Sequence, residues 1–307
     1  MVDVEVQPPW KRSYYFKPGY LLPTFMARNT IETLVRDFEI RDGDVFLLSY
    51  ARSGTAWVNT ILTAIVNIDD LSVIEKTDIH QKLANIEAGP SSGDPDLEAD
   101  GIVVPKSFIE LWINDKPSPR VLQSHLQTDY LPKQFFQKKP KTVYIRRDPK
   151  DVLVSIFEHH KSAKYHVPVP WDKYFEEFLK GNANFGSVFE HTKKCAKYMD
   201  EPWWLSLTYE EIKKDTKDAV RRISKFLGKN LTDEQVDDVV RVSSFKEMKK
   251  SYETSATPFY KEKNAGAWQR KGMVGDWKNY LTIAQNKEFE KVYAEDMKGY
   301  EHLMYKY

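Results

Sequence analysis

LLSYARSGTAWVNTIL (47–62) reads as a buried strand, a short turn holding Gly54, and a helix opening near Thr55. The apolar run reaches back to Val45. Near-continuous hydrophobic strands of this kind belong to parallel sheets covered on both faces. Three further runs share the character: RVLQS (120–124), TVYIR (142–146) and WLSLT (204–208). Helical spacing lies between and after them, over 55–67, 149–162, 185–198, 215–227, 233–242 and 283–297. Phe185, Val188, Phe189, Thr192 and Cys195 fall on one stripe of the third helix. The alternation predicts an α/β fold, with a central, mainly parallel sheet flanked by helices. Ligands in such sheets bind at the carboxyl ends of the strands.

Composition narrows the functional classes. The chain has 307 residues, 41% hydrophobic and 30% charged, which suits a soluble globular protein. Lys+Arg is 46 against Asp+Glu 45, a net charge of +1. That balance argues against nucleic acid as a partner and leaves room for a local anion site. The single cysteine, Cys195, excludes an intramolecular disulfide and a Cys-based zinc site, and it fits a reducing compartment. The N-terminal MVDVEVQPPWKRSYYF has no apolar signal core, and AWVNTILTAIVNI (56–68) is too short and interrupted to span a bilayer. The expectation is a cytoplasmic protein with no membrane association. No internal repeat is visible. EAGPSSGDPDLEADG (87–101) reads as a long surface loop, and 251–275 as a second irregular stretch.

Four segments carry groups with chemistry. At 47–62, helix N–H groups after a close-packed Gly54 suit an anion, with Arg52, Ser53 and Thr55 as further donors. Local pattern fits a plain strand–helix turn capped by Ser53 or Thr55 equally well. It is not a Walker A motif, because G-x-x-x-x-G-K-[ST] is absent. KTVYIRRDPKDVLVSIFEHHK (141–161) puts Arg147 at a strand end and Ser155 two helical turns on. The same residues also read as a surface basic cluster. Arg270, Lys271 and Gly272, in AWQRKGMVGDWKNYLT (267–282), suit an anion clamp or a solvated loop. His125 directly follows the strand of PRVLQSHLQTDYLP (119–132), where a general base or a structural histidine would sit.

Together, in this order, these segments resemble the cytosolic sulfotransferase family. YARSGTAW (50–57) is similar to that family's 5′-phosphosulfate loop. RRDPKDVLVS (146–155) is similar to its 3′-phosphate element, and RKGMVGDWKN (270–279) to its C-terminal signature. SSFKEMKK (243–250) and Tyr209 in LTYEEIKKD add to the likeness, which runs from about residue 10 to 305. The resemblance implies one P-loop-like domain over 1–307, in place of the two that length alone suggests. It implies 3′-phosphoadenosine 5′-phosphosulfate (PAPS) as co-substrate, its 3′,5′-bisphosphate PAP as product, and no metal requirement. Arg52, Ser53, Gly54, Thr55, Ala56 and Trp57 would hold the 5′ side and the adenine. Arg147, Ser155 and Arg270 would hold the 3′-phosphate, supported by Lys271 and Gly272. Tyr209, Ser243, Phe245 and Met248 would line the adenine. His125 would be the catalytic base and Arg52 a catalytic cation.

The chain departs from the family pattern at named positions. Arg52 replaces the usual loop Lys, Ala56 a Thr, and Gln123 a Lys two residues before the catalytic His. The family's dimer signature reads Lys278, Thr282, Ile283 and Lys287, with the last charge reversed, so the homodimer expectation rests on a degenerate motif. The resemblance implies a small, largely apolar acceptor carrying a hydroxyl or amine: a phenol, a steroid-like alcohol or an amine. Phe25, Phe108, Trp112, Phe157, His159 and Tyr252 are the pocket candidates, with core packing as the alternative for each. Asp129 and Glu158 would suit a cationic acceptor. Two other functions stay open: a catalytically weak or inactive PAPS/PAP-binding module, motivated by Ala56 and Gln123, and a P-loop-type small-molecule kinase, against which the missing GK[ST] counts.

Overall fold

A computed structural model describes residues 8–77, 83, 85–89, 106–162, 168–253 and 270–306. A hairpin of β1 (Ser13–Lys17) and β2 (Tyr20–Pro23) precedes α1 (Arg28–Asp37). Next come β3 (Val45–Ser49), α2 (Thr55–Val66), α3 (Ser72–Lys76), β4 (Val121–Ser124) and α4 (Lys133–Lys138). They lead to β5 (Lys141–Arg146), α5 (Pro149–Ser162), α6 (Trp171–Leu179), α7 (Val188–Ala196) and β6 (Trp204–Thr208). Five helices follow β6 among the described residues: α8 (Tyr209–Lys214), α9 (Thr216–Phe226), α10 (Asp233–Val242), α11 (Phe245–Glu253) and α12 (Ile283–Asp296).

The central sheet has the order β4-β3-β5-β6 and is parallel throughout. Val45 faces both Val121 and Lys141 across its two ladders, and Thr142 faces Trp204. Alternation along each strand divides the core. Val45, Leu47, Val143 and Ile145 pack with α2, α9 and α10, while Phe46, Leu48, Leu122 and Tyr144 face the α5–α7 side. Both faces are apolar because both are covered. Among the described residues, no helix is long and apolar enough to cross a membrane.

The helix expected over 185–198 is shorter. Phe185 (φ 72°) and Gly186 (φ 72°) both take left-handed backbone, which a helix cannot continue through. Ser187 then caps α7 by accepting from the Phe189 and Glu190 N–H groups. The loop expected over 87–101 also differs at its start, where Glu87, Ala88 and Gly89 are buried. Its residues 90–101 lie outside the described residues. So do 254–269 of the second irregular stretch, whose first residues complete α11.

The entries to β3 and β4 are tied by a buried ion pair. Arg120 (1% exposed) donates through Nε and Nη2 to the Asp44 carboxylate (2% exposed) at 2.9 and 2.6 Å. Its Nη2 also donates to the Glu39 carbonyl at 2.9 Å. Removing one member leaves the other charged, buried and uncompensated. Arg120→Ala is therefore expected to lower unfolding stability by about 3–5 kcal/mol, whereas Arg120→Met with Asp44→Leu recovers most of that loss. Urea unfolding midpoints of the three proteins check this.

Candidate active site

The carboxyl ends of all four sheet strands converge. Ser49 ends β3, His125 follows β4, Arg147 follows β5 and Tyr209 follows β6. From Ser49 the chain turns through Arg52 (φ 68°) and Gly54 (φ 95°), both left-handed. For a non-glycine residue this conformation costs about 1–3 kcal/mol, and it persists only where the surroundings impose it. A Cβ on Gly54 would stand 2.6 Å from the Tyr209 ring, so only glycine lets the turn pass against that ring.

No side chain caps α2. Of the expected caps, Thr55 Oγ1 instead pairs with Ser49 Oγ at 2.7 Å. Ser53 is 1% exposed and stays beneath the turn. The first-turn N–H groups of α2 are thus left to an incoming anion, and the helix dipole favours one there.

His125 Nδ1 lies 2.9 Å from the Ser49 carbonyl oxygen. A carbonyl only accepts, so Nδ1 carries the proton and Nε2 keeps its lone pair. Burial pushes the imidazole down to about 4, against the Ser49 hydrogen bond, and the Arg52 cation adds to the depression. The Phe185 ring sits 5.2 Å away, edge-on. The His125 backbone N–H donates to Glu87 Oε1 at 2.7 Å. Glu87 is wholly buried, which pushes its carboxyl up to about 7 against the hydrogen bonds it accepts. Glu87 gave no sign in the sequence, because a Glu opening a Gly/Pro-rich stretch reads as solvated.

Cations also line the site. Arg147 donates to the carbonyls of Arg52 and Met273, both at 3.0 Å, and its guanidinium stacks 4.6 Å over Tyr209. Its Nε is buried without a protein partner. Arg52 Nε donates to Ser155 Oγ at 3.3 Å. Asp276 pairs with Arg270 at 2.6 Å and with Lys271 at 2.9 Å. Burial opposes ionisation of Asp276, but hydrogen bonds from Lys271, Asn279 and Arg270 hold its carboxyl at about 2. Asp151 on α5 accepts from the Gly275 and Trp277 N–H groups at 2.7 and 3.0 Å, anchoring the segment that carries Arg270 beside Arg147 and Ser155.

One cavity of about 470 Å³ joins these walls. It is lined by His125, Arg52, Gly54, Thr55, Ala56, Trp57, Arg147, Ser155, Tyr209, Ser243, Phe245, Met248, Arg270, Lys271 and Gly272, and also by Phe25, Phe108, His159 and Tyr252. Three expected residues are not in the lining. Besides Ser53, these are Trp112, whose ring packs 4.4 Å from Phe108, and Phe157, which points away from the Ser155–His159 face of α5 into Trp171 and Tyr174. Asp129 and Glu158 are not in it either, being paired with Lys194 and Lys161. Sequence reading missed Asn85, Asn184, Phe185, His160 and Lys213 as lining residues of the cavity. Among the described residues the lining has five Arg or Lys and no Asp or Glu. In the dimer-signature segment, Thr282 caps α12 and Ile283 is 81% exposed.

The sulfotransferase-domain family matches residues 42–301. The chain is 36% identical to Sulfotransferase 1A1 of Bos taurus, over 86% of this chain and 87% of that one. It is 33% identical to Sulfotransferase 1B1 of Mus musculus, over 94% of each. In three dimensions it is similar to mouse sulfotransferase SULT7A1, crystallised with PAP, at a TM-score of 0.76 and 29% identity, over 95% of this chain and 96% of that one. With likeness in sequence and in fold running over nearly the whole length, this chain belongs to the cytosolic sulfotransferase family, enzymes of sulfuryl transfer.

Proposed function

We propose that the protein moves a sulfuryl group from PAPS to the hydroxyl or neutral amine of a small, largely apolar acceptor, as one cytoplasmic domain with His125 as general base. One observation carries this reading. The uncapped start of α2, a cluster of cations and a buried histidine with Nε2 available all line one cavity. The crystallised relative SULT7A1 holds PAP, which supports the same nucleotide here.

The residues present fit that substrate. The buried, unpartnered Arg147 Nε and the Ser155 hydroxyl suit a 3′-phosphate, together with Arg270. Trp57 and Phe245 offer ring faces to a purine, with Tyr209 and Met248 also in the lining. Gly272 lies against Phe245, where an added Cβ would come within 3.2 Å, so a side chain there would crowd the purine wall. In the transfer, His125 Nε2 takes the acceptor's proton as the acceptor heteroatom bonds to sulfur. The bond from sulfur to the phosphate oxygen breaks, and PAP leaves with the negative charge. The α2 N–H groups and Arg52 meet that charge, so the reading requires no metal. A lining with cations and no acid among the described residues disfavours a protonated amine.

PAP is expected to raise the melting temperature far more than ATP or AMP at equal concentration. The effect corresponds to about 2.7 kcal/mol at a hundredfold excess over its Kd. Equal responses to ATP would point to the kinase reading. His125→Ala is expected to cut kcat by about 10²–10⁴ while PAP affinity stays unchanged, as followed by transfer of labelled sulfate to an acceptor panel. PAP binding without transfer by the parent protein would leave the binding-module reading.

The pH profile follows from burial of His125. Its imidazole becomes protonated only as pH falls through about 4. The neutral base is therefore present at every higher pH. With a non-titrating alcohol acceptor, kcat/KM should stay flat down to about pH 6 and fall only below about pH 5. An acid limb at the usual imidazole value, about 6.5, would show that burial does not depress this imidazole.

A further inference from the structure

We propose that the acceptor is a hydroxyketone, whose hydroxyl meets His125 while its carbonyl oxygen accepts from the Asn184 side chain. This rests on the transfer reading above and names the acceptor class for it. Asn184 is buried and lines the cavity next to Phe185, whose ring stands 5.2 Å from the His125 ring. Pro23, Phe25 and Phe108 line the same cavity.

The surroundings of Asn184 fix both its backbone and its carboxamide. Its backbone is bridged to Leu21 of β2, and the Phe185 N–H donates to the Leu21 carbonyl at 2.7 Å. The Tyr50 hydroxyl reaches the carbonyls of Asn184 and Gly186 at 3.1 and 2.7 Å. Ser13 Oγ, on β1, donates to Asn184 Oδ1 at 3.0 Å inside the core. That Ser13 proton has no other acceptor among the described residues, so the opposite orientation of the carboxamide would strand it. With its oxygen engaged, Asn184 offers N–H groups. Its Nδ2 makes no hydrogen bond to a described residue, yet it is not one of the sealed polar atoms that lack a partner. It is therefore open to space, and Asn184 borders the cavity of His125.

Donors of this kind suit an oxygen that only accepts. A second hydroxyl on the acceptor would bring a proton of its own, for which the Asn184 side chain has no oxygen left. A carbonyl brings none. No Asp or Glu lines the cavity among the described residues, so no acidic group there competes for the donors. An acceptor without the carbonyl would leave them desolvated and unpaired, and a site built this way rejects such an analogue.

Matched single-ring phenols test the assignment: ortho-, meta- and para-hydroxyacetophenone, each against the ethylphenol of the same substitution. A carbonyl also changes the acidity of the phenol, so the quantity compared is each pair's ratio in parent and variant. Dissociation constants are measured by titration calorimetry on the full chain saturated with PAP, which requires no turnover, and kcat/KM is measured alongside with PAPS. The parent is expected to bind at least one hydroxyacetophenone about tenfold more tightly than its ethyl partner. Asn184→Leu removes the donors at similar volume and should bring that ratio to about one, with ethylphenol affinity within about threefold of the parent. Asn184→Asp keeps an oxygen for Ser13 and presents an oxygen in place of the donors. It should lose the preference as well. The proposal is overturned if the parent binds no hydroxyacetophenone more tightly than its ethyl partner. It is also overturned if either variant, with the parent's melting temperature, keeps the parent's ratio. Preferential binding without transfer of labelled sulfate would overturn the transfer reading instead, a separate result.

Discussion

The passage of Gly54 beneath the Tyr209 ring is the contact on which the site depends. It requires a residue without a Cβ and with positive φ, and it sets the turn after β3 against the first residue of α8. The same turn starts α2 with no side-chain cap and sets Thr55 Oγ1 against Ser49 Oγ. The Ser49 carbonyl in turn chooses the tautomer of His125. Anion-binding groups and a proton acceptor are thus two consequences of one backbone reversal. A bulkier residue at 54 would alter both.

Around this turn, charged side chains serve as structural ties. Asp151 binds two backbone N–H groups of the segment after Gly272. Lys150, beside it, is fully buried, lies 4.2 Å over Trp277, and donates to Asn286 and Glu290 at 2.7 and 2.8 Å. Asp276 collects Arg270 and Lys271. Isolated buried charges are unfavourable, so each is held by several partners with directional bonds. Those bonds give a long, irregular segment a defined place beside Arg147 and Ser155. The cost of desolvation is thereby converted into geometric precision where an anion has to be gripped.

Strands β3 to β6 and most helices that flank them were legible because burial on both faces favours short apolar runs. The anion-binding residues were legible as a set through family resemblance, since each segment alone fits a bland alternative. The acceptor side was less so. Phe157 and His159 stand two residues apart on α5, yet one faces α6 and the other the cavity. Aromatic character is common to core and pocket, so composition cannot separate them. Phe185 was expected within a helix and instead occupies a left-handed turn beside His125.

Patterns of neighbouring residues were enough to establish the α/β class, the parallel sheet, the strand–helix turn at Gly54 and the identity of the histidine at a strand end. These depend on interactions within a few residues along the chain. The tautomer of His125, the burial of Glu87, the direction of the Asn184 amide and the pairing of Asp276 depend on atoms from separate elements. Hydrogen bonds act over about 3 Å in space, whatever the distance along the chain. Only the folded arrangement brings these partners within that range.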